Sequence, residues 1–289
     1  MKKSASWLLE TEEIAAALFA EAAKKLSHRP EYYDFLMQLS EDEREHVGLI
    51  KSLIDFLSKN SFIKPALTLS DQTKTNIRST LMAFSEKIAG HEVETGELLK
   101  ILIDIEMSEF NFFTVYLIEL AKEFDKGFTP ALVNMQGHLS AIRRFVEKHG
   151  DEDHIDLLKG LPRVWDEKIL VVDPSKALVN LLDHLMTDEA SLTGTSDGNK
   201  AYDMILETYY SAIIMEVHLD GMNGKDLYRK VVKIHPGLKE RTIFMTSDDS
   251  KENMSFFDKN NVEFIIKPGK VLHLKDRITR TINKSRRAC

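Results

Sequence analysis

Residues 39–57 read LSEDEREHVGLIKSLIDFL. As a helix, this stretch and the residues before it place Leu36, Leu39, Ile50, Leu53 and Leu57 on one stripe, at spacings of three and four. Glu43 and His46 fall on the same stripe, between Leu39 and Ile50. A core helix ordinarily carries Leu or Ile there. Burying a carboxylate and an imidazole without partners costs on the order of several kcal/mol, so something must offset it.

The pattern recurs on three more predicted helices. The first runs from about Ser6 to Leu26, with Leu8, Ala15, Phe19, Ala22 and Leu26 as its stripe and Glu12 inside it. The second, which carries Glu43 and His46, starts at Pro30 and ends near Lys59. The third runs from about Val93 to Phe124, with Leu99, Leu102, Phe113, Tyr116 and Leu120 as its stripe and Glu106 and Glu109 inside it. The fourth opens with Thr129 as N-cap and Pro130 in the first position, and closes at Gly150. Its stripe of Ala131, Met135, Ile142 and Phe145 encloses His138. A further helix, Ser70 to Ala89, sits in the long connection between the second and third. Four long helices with such a connection predict a bundle. A divalent metal would supply the missing counter-charge, and carboxylate and imidazole donors suit iron, manganese or zinc. Glu43 and His46, at i and i+3, face the same way. The competing reading puts each acid at the edge of its stripe, reaching to water. Glu10 and Glu13 read as solvated.

At these residues the sequence resembles the ferritin-like superfamily, and rubrerythrin-like proteins most nearly. DEREH is a form of their Glu-x-x-His motif, and Glu12 and Glu109 each precede an aromatic, Phe19 and Tyr116, by seven residues. The resemblance covers roughly residues 5–150 and implies Glu12, Glu43, His46, Glu109 and His138 as metal ligands, with Glu106 in support. The fourth helix departs from the family: the expected second Glu-x-x-His reads MQGH, Met135 to His138. A thioether replaces a hard ligand there, which implies a mononuclear or asymmetric site. The rubredoxin-type electron donor of the family needs four cysteines, and this chain has one, Cys289.

After about Asp166 the period changes. KILVV, SAIIM, RTIFM and VEFII are short apolar runs, each followed by loop residues and a helical stretch. This alternation predicts a parallel sheet covered on both faces. The charged, glycine- and proline-containing stretch from Lys148 to Lys168 reads as a linker, so the expected division is 1–150, a linker at 151–166, and 167–289. The second half resembles response-regulator receiver domains, which implies a flavodoxin-like doubly wound fold with strand order 2-1-3-4-5. Carried over residue by residue, the first strand-one acid is Asp173, the hydroxyl is Thr246, the lysine is Lys267 and the strand-five aromatic is Phe264. The second strand-one acid has become Pro174, and the phosphoryl-acceptor position holds Glu216 where the family has Asp. These departures imply weak magnesium binding and a misplaced acceptor. Glu216 could instead reach Lys267 or Thr246 and partly imitate a phosphorylated acceptor.

The remaining composition bounds the function. The net charge is −7, which argues against a non-specific grip on nucleic acid. Nowhere are there eighteen consecutive apolar residues, and the opening MKKSASWLLETEE reads as no signal peptide, so a cytoplasmic location is expected. The expectation is a signalling protein: a metal-binding ferritin-like bundle coupled to a non-phosphorylatable receiver that acts through a protein partner, kinase or downstream, with a homodimer allowed. The alternatives are a rubrerythrin-like oxidase or peroxidase with a regulatory receiver, and a scaffold with both sites inactive.

Overall fold

The computed structural model describes residues 2–90, 93–161, 163–187 and 189–287. The chain forms two units, Met1–Val164 and Trp165–Cys289. The first is helical: α1 (Lys2–Lys25), α2 (Pro30–Lys59), α3 (Asp71–Ala89), α4 (Thr95–Glu106), α5 (Glu109–Lys122), α6 (Thr129–His149) and α7 (Glu152–Leu157). Pro30 starts α2, where a missing amide costs nothing. Ser70 caps α3 by accepting from the Thr73 amide at 3.0 Å. Thr129 is the first residue of α6, and the capping position falls on Phe128. The apolar stripes of α1 and α2 are buried along their length, from Leu8 to Leu26 and from Leu36 to Leu57. α2 packs against α1, α5 and α6, and α3 packs on α1. The expected linker carries α7, and Leu158 and Leu161 are buried.

The predicted third helix is broken at Met107 and Ser108 into α4 and α5. The cause is local. The Asn111 side-chain amide donates to the Ile105 and Glu106 carbonyls at 3.5 and 3.3 Å and to Glu106 Oε2 at 2.8 Å. A polar side chain here offers α4 a substitute for the next helical turn. The break shifts the helical phase of α5. Leu117, Ile118 and Ala121 are buried on α5, while the expected Tyr116 and Leu120 are only half-buried.

The second unit alternates strand and helix: β1 (Lys168–Val172), α8 (Lys176–Met186), β2 (Ser191–Thr195), α9 (Gly198–Glu207), β3 (Ala212–Met215), α10 (Gly224–Ile234), β4 (Thr242–Thr246), α11 (Lys251–Asn260), β5 (Glu263–Ile266) and α12 (Val271–Arg287). All pairings are parallel, in the order β2-β1-β3-β4-β5. Alternate strand residues face opposite ways. Leu170, Val172, Ile213, Met215 and Phe244 join one core with α9, α10 and α11. Ile169, Val171, Ala212, Ile214 and Ile243 join the other with α8 and α12. This is a doubly wound, flavodoxin-like sheet, whose ligand sites lie beyond the carboxyl ends of the strands.

If Asn111 sets the α4–α5 break, Asn111→Ala should destabilise the protein by about 1–2 kcal/mol, since it orphans buried carbonyls and Glu106. Urea denaturation measures it. An unchanged midpoint would assign the break to another cause.

Candidate functional site

Glu12, Glu43, His46, Glu106 and His138 are all buried, each no more than 3% exposed. They do not reach water along the edge of their stripes, whereas Glu10 and Glu13 are exposed. Their donor atoms form two groups of three, Glu12–Glu43–His46 and Glu43–Glu106–His138, with the atoms of each group within 4.8 Å of one another. Glu43 belongs to both. Its Oε2 lies 3.0 Å from His46 Nδ1, and its Oε1 lies 3.7 Å from His138 Nε2. His46 Nδ1 is 3.9 Å from Glu12 Oε2, and His138 Nε2 is 3.1 Å from Glu106 Oε1. The two imidazole rings stand edge to face, their centroids 5.0 Å apart.

Burial, followed by the neighbouring Glu43 charge, raises the Glu12 carboxyl well above the usual range. Burial works against the Glu43 charge too, but hydrogen bonds from Glu12 and His46 outweigh it and lower the Glu43 pKa. The two carboxyls are thus pushed in opposite directions, Glu12 toward its neutral form and Glu43 toward its charged form. Burial disfavours charge on His138, yet the Glu106 charge and the hydrogen bond to Asp42 prevail and raise its pKa well above the ordinary imidazole value. Among the described residues, the buried atoms Glu12 Oε1 and His46 Nε2 have no hydrogen-bond partner. Oxygen and imidazole donors, oriented together and left partly unsatisfied, fit a divalent cation.

Two residues of this layer escaped the sequence reading. Asp42 Oδ2 lies 3.1 Å from His138 Nδ1 and holds the ring with Nε2 toward Glu43 and Glu106. Asn111 does the same for Glu106. Such outer partners fix ligand orientation. Asp42 sits one residue before Glu43, off the apolar stripe, so periodicity could not find it. Glu106, expected in support, lies beside His138, its Oε1 3.1 Å from Nε2. Glu109 opens α5, and its side chain lies outside the described residues. Met135 is fully buried among the core residues of α6.

In the second unit, Asp173 follows β1, Glu216 follows β3, Thr246 ends β4 and Lys267 follows β5. Parallel pairing aligns these four strand ends. Lys267 Nζ donates to Asp173 Oδ2 at 2.6 Å and to Glu216 Oε2 at 2.7 Å. Glu216 Oε1 accepts from the Val217 amide at 2.7 Å. Asp173 Oδ1 accepts from the Ser175 amide at 2.8 Å. Burial opposes the Lys267 charge, but the hydrogen bonds to Asp173 and Glu216 more than compensate and raise its pKa. Thr246 is fully buried, and its hydroxyl accepts from the Asp248 amide at 3.2 Å. Phe264 is half-buried and stacks on Phe257, with centroids 4.8 Å apart. Pro174 is exposed.

The loop after β3 explains the glycines of DGMNG. Gly221 has φ +68°, and a Cβ on Gly224 would collide with the Glu216 carbonyl. A pair that sequence reading missed lies beside it. His218 Nε2 is 2.8 Å from Asp248 Oδ2 and ties the loop after β3 to the loop after β4. That hydrogen bond is the main reason the Asp248 carboxyl is lowered to about 2.

A five-stranded parallel sheet in this order, with acids, a hydroxyl and a lysine at its strand ends, defines a receiver domain. Residues 169–279 match the response regulator receiver domain family. The chain is similar to a protein-glutamate methylesterase/protein-glutamine glutaminase of Methanococcus maripaludis, 27% identical over 104 residues, which make up 35% of this chain and 28% of that protein. It is similar to the regulatory protein VanRB of Enterococcus faecalis, 24% identical over 120 residues, 41% of this chain and 53% of that protein. The chain thus spans 28% and 53% of the length of these relatives. Among solved structures, the response regulator receiver domain protein (CheY-like) of Methanospirillum hungatei is 22% identical, with a TM-score of 0.40, covering 43% of this chain and 100% of that one.

Removing the shared cation should expose its role. Lys267→Ala leaves two buried carboxylates facing each other and should destabilise the receiver by about 2 kcal/mol, below the full cost for a deeply buried pair because Lys267 is itself 23% exposed. Adding Glu216→Gln should restore part of the loss. Because the Lys267 pKa is raised on folding, its contribution is complete below the ordinary lysine value of 10.5 and fades as pH rises through the folded value. Denaturation of the single and double variants checks this, and additive losses would rule out the coupling.

Proposed function

We propose that the chain is a signalling protein of the two-component type, in which a metal-binding ferritin-like bundle is joined to a receiver domain that accepts no phosphoryl group and acts by protein–protein interaction. The observation that carries the reading is the Lys267 bridge between Asp173 and Glu216. The magnesium ion that receiver chemistry uses needs oxygen ligands in near-ideal octahedral geometry. Here one acid is replaced by Pro174, and the two that remain are both bonded to an ammonium group. This set does not fit magnesium. Both Glu216 oxygens are occupied, one by Lys267 and one by a backbone amide, and the extra methylene moves the carboxylate from the place an aspartate would give it. The domain then stays in one state, and its output passes through a partner that reads its surface.

For the bundle, the support is the buried layer. Glu12, Glu43 and His46 would hold one cation; Glu43, Glu106 and His138 would hold a second or share the first. Iron or manganese bound there would supply a charge that responds to the redox state of the cell. The protein's own part is to keep the layer dry, orient His138 through Asp42 and Glu106 through Asn111, and release the Glu12 proton on binding. Met135, in place of a carboxylate, makes the two halves of the site unequal.

The receiver half is tested by incubation with magnesium and labelled acetyl phosphate. No stable label is expected; label mapping to Glu216 or Asp173 would restore an ordinary phosphorelay. The bundle is tested by elemental analysis of protein purified with and without oxygen. Glu43→Ala should abolish bound metal, Asp42→Ala should weaken affinity about 10–100-fold, and Met135→Glu should raise the content toward about two ions per chain. Protein that carries no metal under either condition would leave the bundle as a scaffold.

A further inference from the structure

The helical unit contains a cavity of about 450 Å³ that plays no part in the buried acid layer. Its inner wall is Leu8 of α1, Ile50, Leu53 and Leu57 of α2, and Phe113 and Leu117 of α5. Its outer wall is the irregular segment between α2 and α3, residues 61–68. The volume lies in the range of small-molecule sites. The site opens to solvent on its outer side, and its apolar inner wall is surface that a ligand could cover. Water is a poor occupant, because the inner wall offers no polar side chain to bond to it.

The polar lining is confined to the outer side, where Ser58, Ser61, Lys64 and Thr68 contribute. Among the described residues, no Asp or Glu lines the cavity. Lys64 is exposed, and among the described residues it has no ion-pair partner. Apolar depth with one cation at the mouth describes the complement of an amphiphilic anion. The outer segment is held at few points. Ile63 and Leu69 are buried, and the Ala66 amide donates to Tyr116 Oη at 2.6 Å, while Phe62 and Leu67 stay exposed. Its stretches between these anchors can open without breaking a helix or strand.

We propose that this cavity binds a straight-chain aliphatic carboxylate, with the chain along Leu53, Leu57 and Leu117 and the carboxylate on Lys64. Leu8 lies one helical turn before Glu12, and Ile50 one turn after His46, so the inner end of the cavity adjoins the buried acid layer. Binding itself needs no metal, and the site stands whether or not the layer holds one.

The test uses the full chain and a fluorescent reporter, 11-(dansylamino)undecanoic acid, displaced by octanoate, decanoate and dodecanoate. Each added methylene should tighten binding about threefold to fourfold until the cavity is filled. Dodecanoate should bind roughly tenfold better than dodecyltrimethylammonium, and Lys64→Glu should reverse that order. Ile54→Phe, on the half-buried edge of the cavity, should shorten the preferred chain. Metal content is measured on the same preparations, before and after chelation, so the two assignments fail separately. Folded protein that shows no displacement, affinity indifferent to chain length, or dodecanoate binding unchanged in Lys64→Glu would overturn the proposal.

Discussion

A carboxylate that leaves water must be neutralised or paired, and Glu43 is where this constraint falls hardest. It is 3% exposed, and both of its oxygens face imidazoles, His46 on one side and His138 on the other. Around it the bundle buries two further carboxyls, and the described residues bring no Lys or Arg to them. Burial pushes Glu12 toward its neutral form, while against burial hydrogen bonds from Glu12 and His46 favour the Glu43 charge and the Glu106 charge favours a protonated His138. Among the described residues, Glu12 Oε1 and His46 Nε2 find no hydrogen-bond partner.

The receiver meets the same constraint with its own cation. Lys267 reaches both Asp173 and Glu216 from the end of β5. One ammonium then serves two buried carboxylates, and the backbone amides of Val217 and Ser175 take the remaining oxygens. The pocket is thereby satisfied internally, whereas the bundle layer is not.

Much of this was legible in the sequence, and the failures have physical causes. Periodicity located α1, α2 and α3 and the buried acids of α1 and α2, because burial on one face imposes a 3.6-residue period whatever the chemistry of the individual residue. It failed across residues 106–109, where a buried Asn side chain competes with the backbone and resets the helical phase. A continuous-helix reading loses register beyond such a break: Phe113 is buried as expected, but Tyr116 and Leu120 are only half-buried. The four apolar runs marked β1, β3, β4 and β5, while β2 showed no such run. SLTGT pairs only with β1 at the sheet edge and is partly exposed, so nothing demands an apolar sequence there. Asp42 and the His218–Asp248 pair were invisible for another reason: each acts through a partner far away in sequence, 96 and 30 residues respectively.

Pro174 and Met135 stand at positions of opposite exposure, and what surrounds each decides what it does. Pro174 is exposed, and beside it Asp173 and, across the strand ends, Glu216 are both bonded to Lys267. Met135 is fully buried in the core of α6, where a thioether fills space without adding a charge that would need a partner. The exposed position leaves the bonds of Asp173 and Glu216 to Lys267 undisturbed, while the thioether at the buried one asks for no counter-charge from the core around it.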